Sequence, residues 1–336
     1  YRKLKKKEDI LSIRIDHILL GDLIYDDYLR TLNLVTIDFK SEEFKNFFYK
    51  SIQLYFFWKN FFEKNDIKSV VISHSVYLMG LLARLAISRK IPVYTTGMDN
   101  IQFLSKKNVT KNSHYENYKK IFKKIDNKLK ITLLNIAKQN LQARFSGKKD
   151  IKILMDRYTD RKIYSAKKSN RTFLEKSNKI KVLVAAHQFN DAVHAYGNFL
   201  FPDFFEWMDF LGKCTYKTNY DWYIKFHPAE FKSNLKHINY FKEKYPLFKV
   251  LPAEVTNTDL IKEKINVVLT VHGSIGYEYP LFNIPVVNAA NHGAHKSFNF
   301  NIYPKNIKHY KNILLNLKKV RPVKRKSKKI YTYYLM

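Results

Sequence analysis

"LTVHGSIGYEYPLFNIPVV", residues 269–287, holds the pattern on which the fold turns. An apolar run closes in His272. Gly273, Ser274 and Gly276 then make a small-residue turn, a short helix follows, and "IPVV" begins a second strand. Strand, turn, helix and strand in that order specify a parallel pair with a crossover between them. The polar groups therefore fall at the carboxyl end of a strand, where open α/β sheets bind ligands.

The same ending recurs upstream. "IKVLVAAH" (180–187) closes in His187, and "DWYIKFH" (221–227) closes in His227, with Lys225 two residues before it and Pro228 after it. Three histidines at the ends of three strands in one presumed domain point to a shared ligand site. Gly273 and Gly276 permit close backbone approach. Ser274 is placed to cap the following helix or to donate to a phosphate oxygen, and the free N–H groups of a helix start favour an anion. Glu278 lies four residues after Ser274, over the same helical face, where a carboxylate could accept from the two hydroxyls of a ribose. Neither GxGxxG nor GxxxxGK[ST] is present, which disfavours a dinucleotide enzyme and a P-loop ATPase.

Working outward, strands and helices alternate twice. In the first half, "KSVVISHS" (68–75), the apolar helix that follows and "IPVYTT" (91–96) form one strand–helix–strand unit. Before it, "SEEFKNFFYKSIQLYFFWKNFFEKND" (41–66) carries apolar residues at helical spacing behind a Ser41 N-cap. Residues 111–150 look helical and basic. "KKSNRTFLEKSNK" (167–179) is polar and uneven, as a linker is. The second half adds the strands noted above, "LFKVLP" (247–252), and a helix at 307–319. The expectation is an α/β protein of two Rossmann-like domains with a cleft between them: residues 1–175, residues 176–305, and a C-terminal helix and basic tail over 306–336.

Composition sets outer bounds. The chain has 336 residues, 46% of them hydrophobic and 15% aromatic, enough for a sizeable core. A single cysteine, Cys214, rules out an internal disulfide framework and a cysteine-based zinc site, and fits a reducing compartment. No apolar run is long enough to cross a membrane. The chain starts at Tyr1 rather than Met, so upstream sequence is expected. The formal charge is +32, made by 11 arginines against 50 lysines. Nucleic-acid readers lean on arginine, so this balance argues against nucleic acid as the partner. Two sources remain for it: an AT-rich coding bias, which also enriches Asn, Ile, Tyr and Phe, and attraction to an anionic membrane surface or acidic substrate.

Three motifs in order carry a resemblance. "KFHPAE" (225–230) resembles the His-Pro motif of GT-B glycosyltransferases that use CMP-activated acidic sugars, the bacterial sialyltransferases and the Kdo transferases of capsule assembly. "HGSIGYEYPLFNIPVV" (272–287) is similar to the later element of capsular polysaccharide transferases. "AAHQFNDAVHAYGNFLFPDFFEWM" (185–208) is similar to a segment found with these. The likeness covers about 180–295; the first half is similar only loosely, through "GDLIYDDYLR" and "SHSVYLMGLLARLAISRKIPVY". It implies a GT-B fold, a metal-independent glycosyl transfer and a nucleotide-sugar donor. His227 would contact the donor phosphate and Pro228 would shape the turn. Gly273 and Ser274 would hold phosphate or ribose, and Glu278 would hold ribose or base. His187, Lys225 and His272 complete the donor set. The Asp/Glu-Asp/Glu-Gly string that supplies the base in the sialyltransferases is missing from this chain.

Glycosyl transfer needs a base for the acceptor hydroxyl and charge stabilisation for the leaving phosphate. The base candidates are Asp191, beyond a strand end in the donor half; Asp26, which shares a helical face with Arg30; and His74, which with Tyr77 ends the first-half strand. No DxD string is present, "MDN" at 98–100 being none. His187 and His194 stand seven apart, not at a metal-ligand spacing, so no metal is expected. The expected activity is transfer of Kdo or a related nonulosonate from a CMP-sugar to a bacterial surface polysaccharide or lipid-linked acceptor, in the cytoplasm at the inner membrane. Alternatives are a UDP- or GDP-sugar donor, a polyol-phosphate transferase on the same fold, or a non-enzymatic polyanion binder.

Overall fold

The computed structural model describes residues 1–97, 101–110, 117–147, 164, 171–226, 235–290, 296–324 and 326–336. His227, Pro228 and the "MDN" string lie outside them. The chain is α/β and divides into two compact units, Tyr1–His114 with Phe189–Trp207, and Tyr115–Gln188 with Met208–Met336. These boundaries differ from a single cut near residue 175. The helices Tyr118–Lys124 and Asn127–Phe145 belong to the second unit, and the segment 189–207 belongs to the first.

The second unit is built on five strands: β6 (Ile180–Ala185), β7 (Tyr220–Lys225), β8 (Phe248–Val250), β9 (Val267–Thr270) and β10 (Val286–Asn288). All four pairings are parallel. Such strands are covered on both faces, so their sequences are continuous apolar runs rather than alternating ones. Val182, Leu183 and Val184 of β6 and every residue of β9 are buried. Leu183, Val268 and Val286 join one core with Leu260, Ile265 and Tyr279.

The strand order is β10-β9-β6-β7-β8. The chain starts in the middle with β6, moves to one side through β7 and β8, then returns to the other side through β9 and β10. The order reverses between β6 and β9, and the loops leaving these two strands diverge there. Ligands of doubly wound sheets bind at this reversal, beyond the carboxyl ends of the strands.

In the same unit the C-terminal helix Ser327–Leu335 packs on helix Asn127–Phe145, and Leu141 and Ile330 share a buried cluster with Phe298 and Phe300.

The first unit holds a smaller sheet. β3 (Val70–Ile72) pairs in parallel with β4 (Val93–Thr96), the two being joined through helix Gly80–Ser88 as the sequence implies. β4 pairs antiparallel with β5 (Ile101–Leu104), a strand the sequence did not announce. A hairpin, β1 (Arg14–Ile15) and β2 (Ile18–Leu19), turns through Asp16 and His17, both at positive φ. Gly21 opens the next helix because its backbone lies against that of Ile10; a Cβ there would stand 1.7 Å from the Ile10 carbonyl oxygen. Ser41 caps helix Glu42–Lys64, accepting the Phe44 N–H.

Candidate functional site

A pocket opens at the reversal point of the five-stranded sheet. Ala185, Ala186 and His187 line it from the end of β6. Lys225 and Phe226 line it from β7, and Thr270, His272, Gly273 and Ser274 from β9. The structure thus brings together five of the residues singled out in the sequence: His187, Lys225, His272, Gly273 and Ser274.

His187 ties the two diverging loops. Its Nε2 accepts the backbone N–H of Val271 at 3.2 Å and of His272 at 3.3 Å, and stands 3.1 Å from Thr270 Oγ1. Through these two amides one ring nitrogen holds the start of the loop that leaves β9. The His187 and His272 rings lie with centroids 4.5 Å apart, tilted by 37°.

Gly273 has φ +120°, a backbone conformation that only glycine adopts readily. A Cβ there would meet His187 Cε1 at 3.5 Å, ordinary contact, so conformation rather than space demands the glycine. Ser274 sits in helical geometry and its side chain makes no cap bond. It holds the N-cap position that the sequence allowed, without a side-chain cap. The helical segment Ile275–Glu278 is a single turn, continued as a 3₁₀ turn over Tyr279–Phe282, so its dipole is small. Its first internal bonds are Gly276 N–H to Gly273 O and Tyr277 N–H to Ser274 O. Among the described residues no acceptor takes the N–H of Gly273 or Ser274.

Lys225 supplies the pocket's cation. Its Nζ donates to Val255 O at 2.8 Å. Burial lowers its pKa to about 8, against the opposing pull of Asp259. Asp259 is itself fixed in a capping box: its carboxylate accepts from Thr256 N–H and Oγ1, while Thr256 Oγ1 accepts the Asp259 N–H. The His187 and His272 imidazoles, the Lys225 ammonium and the Gly273–Ser274 turn line one pocket, a set suited to an anionic oxygen.

Glu278 is placed elsewhere. It is fully buried, and its carboxylate accepts from Arg144 Nε at 2.8 Å and Tyr164 OH at 2.9 Å. The ribose role expected from helical spacing does not fit, because both oxygens are already engaged and Glu278 is absent from the pocket wall. Arg144 could not be paired with it from sequence, since 134 residues separate them.

The base candidates all fall in the first unit, Asp191 included, which corrects its assignment to the donor half. Asp191 is exposed, and its Oδ1 accepts from Tyr77 OH at 3.1 Å. Tyr77 and Ala192 both hold positive φ around that contact, and burial together with Asp191 raises the Tyr77 pKa. His74 is exposed, with Nδ1 3.0 Å from Ser73 Oγ.

Asp26 is buried and engaged by His194 rather than by Arg30. Its carboxylate lies 2.6 Å from His194 Nδ1 and accepts the His194 N–H at 3.1 Å. His194 Nε2 faces the Pro202 carbonyl at 3.0 Å, so both ring nitrogens meet acceptors, as an imidazolium requires. Burial works against the charged ring, but Asp26, with Asp22 and Asp203 behind it, outweighs burial and raises the His194 pKa. Sequence reasoning missed His194, whose only signal was its spacing from His187.

Among the described residues no group of three His, Cys, Asp or Glu side chains could hold a metal, and no helix is long and apolar enough to cross a membrane. Comparison with family models, curated proteins and solved structures finds no match for this chain.

Proposed function

We propose that the chain is a metal-independent GT-B glycosyltransferase that moves a sugar, Kdo or a related nonulosonate, from a CMP-sugar to a bacterial surface polysaccharide or lipid-linked acceptor, at the cytoplasmic face of a membrane. The observation that carries this is the pocket at the sheet's reversal point. There Lys225, Gly273 and Ser274 line one pocket with His187 and His272. A nucleotide phosphate satisfies that set, and the three ordered sequence motifs point to the same donor class.

The chemistry follows from the groups present. As the glycosidic bond to the donor breaks, negative charge gathers on the departing phosphate. Protonated Lys225 and the Gly273 and Ser274 amides stabilise that charge without a metal. Asp191 is preferred as the base: it is exposed, whereas the Asp26 carboxylate is committed to His194. The Tyr77 hydroxyl orients Asp191 and His74 is second.

A thermal-shift screen tests the donor class. CMP or CTP is expected to raise the melting temperature more than UDP or GDP, and Lys225→Met is expected to abolish the rise. Stabilisation by heparin or DNA alone, unchanged in Lys225→Met, would instead identify a polyanion binder.

A further inference from the structure

Helix Glu42–Lys64 is amphipathic in an unusual sense. One face, Phe44, Phe48, Ser51, Tyr55 and Phe62, is buried in its unit. The opposite face is also aromatic. Tyr49, Phe56, Phe57 and Phe61 stand out into solvent, Phe56 at 53% and Phe57 at 59% exposure. At 3.6 residues per turn, positions 49, 56, 57 and 61 fall on a broad arc of the helix away from the buried face. The rings support one another through Trp58, whose centroid is 5.2 Å from Phe57 and 5.5 Å from Phe61.

The helix carries four lysines, Lys45, Lys50, Lys59 and Lys64, and three carboxylates, of which Glu42 is paired with Lys45 and Glu63 with Arg89. Of its lysines, Lys45 is paired with Glu42 and Lys59 with Asp16. Lys50 and Lys64 are exposed on the aromatic side and make no ion pair among the described residues. Protruding aromatic rings flanked by unpaired ammonium groups match an anionic bilayer surface: rings enter the headgroup boundary while lysines meet lipid phosphates. The chain's +32 charge adds long-range attraction of the same sign.

The geometry points to this face as a membrane-docking surface: helix Glu42–Lys64 lies in the plane of an anionic membrane, with Phe56, Phe57 and Phe61 inserted and Lys50 and Lys64 on headgroup phosphates. The helix rests on the bilayer and does not span it. This inference is independent of the reaction proposed for the second unit.

Vesicle binding by the full chain tests it. Of the three tryptophans, Trp207 and Trp222 are buried, so Trp58 reports the surface. The chain is expected to co-sediment with equimolar phosphatidylglycerol–phosphatidylcholine vesicles but not with pure phosphatidylcholine, with a blue shift in Trp58 emission. Phe57→Ser/Phe61→Ser and Lys50→Glu/Lys64→Glu should each lower the partition coefficient about tenfold or more, with melting temperature and nucleotide binding unchanged. Anionic vesicles that fail to bind the wild type, or that bind both double variants equally well, would overturn it. So would a dimer in light scattering that Phe57→Ser/Phe61→Ser disperses, since the face would then bind protein.

Discussion

His187 and His272, on the loops that leave β6 and β9, stand ring to ring with centroids 4.5 Å apart, and His187 Nε2 accepts the His272 N–H. One imidazole therefore fixes the mouth of the pocket where the sheet reverses direction. His187→Ala would strand the Val271 and His272 amides, at a cost of roughly 1–3 kcal/mol. We expect a lower denaturation midpoint together with weaker CMP binding. Loss of stability with CMP affinity intact would make His187 a structural tie only.

Gly273 is held at φ +120° with room for a methyl group. Gly273→Ala should therefore fold, with a strain of about 1–3 kcal/mol measurable by urea denaturation. A neutral effect on stability would mean that the turn relaxes, and would remove the case for a fixed pair of amides.

Lys225 titrates near pH 8, below its usual range, because it is buried. The folded chain releases this proton more readily than the unfolded chain, so its contribution to stability rises from about pH 8 to 10.5, by up to about 3 kcal/mol. Anion binding runs the opposite way: CMP affinity should fall as pH climbs through 8. Calorimetric titrations at pH 7 and 9 check this, and Lys225→Met should flatten the difference. A pH-independent affinity in the wild type would remove Lys225 from the site.

Glu278→Ala leaves the Arg144 guanidinium without its partner in a buried place. The loss should be about 3–5 kcal/mol of stability, read by urea denaturation. Its effect on CMP affinity should be small. A tenfold weaker affinity with normal stability would restore the ribose role suggested by the helical spacing.

Asp26 raises the pKa of His194 against burial, so its linkage has the opposite sense to that of Lys225. The raised pKa means that the folded chain binds this proton more tightly. The stability it adds is complete below about pH 6.5 and is lost as pH rises through the folded value. Asp26→Asn should destabilise the chain at pH 6 and blunt the pH dependence above it, as thermal melts across that range would show. An unchanged profile would mean that the pair carries no proton.

What the sequence disclosed follows the range of its interactions. β6, β7 and β9 were legible because parallel strands buried on both faces print as "VLVA", "WYI" and "VVLT". Their polar endings were legible because a strand's end is a local feature. β5 went unseen: "IQFL" is short, and its exposed Ile101 and Phe103 give no core signal. The misplaced roles share one cause. Asp26 had a plausible partner one helical turn away in Arg30, and Glu278 was read from the face it shares with Ser274, but the true partners, His194 and Arg144, lie 168 and 134 residues away. A carboxylate's periodicity names the face it occupies, not the cation that claims it. The regrouping of 189–207 with the first unit is non-local in the same way.

A crystal structure with CMP bound is the most direct test of the pocket. Its phosphate is expected against the N–H groups of Gly273 and Ser274 and within reach of Lys225, beyond the ends of β6 and β9. Ser274→Pro, which deletes one of those N–H groups at a φ of −62° that proline adopts, should empty the site. A nucleotide found elsewhere on the chain, or crystals that take up none at saturating CMP, would contradict the assignment.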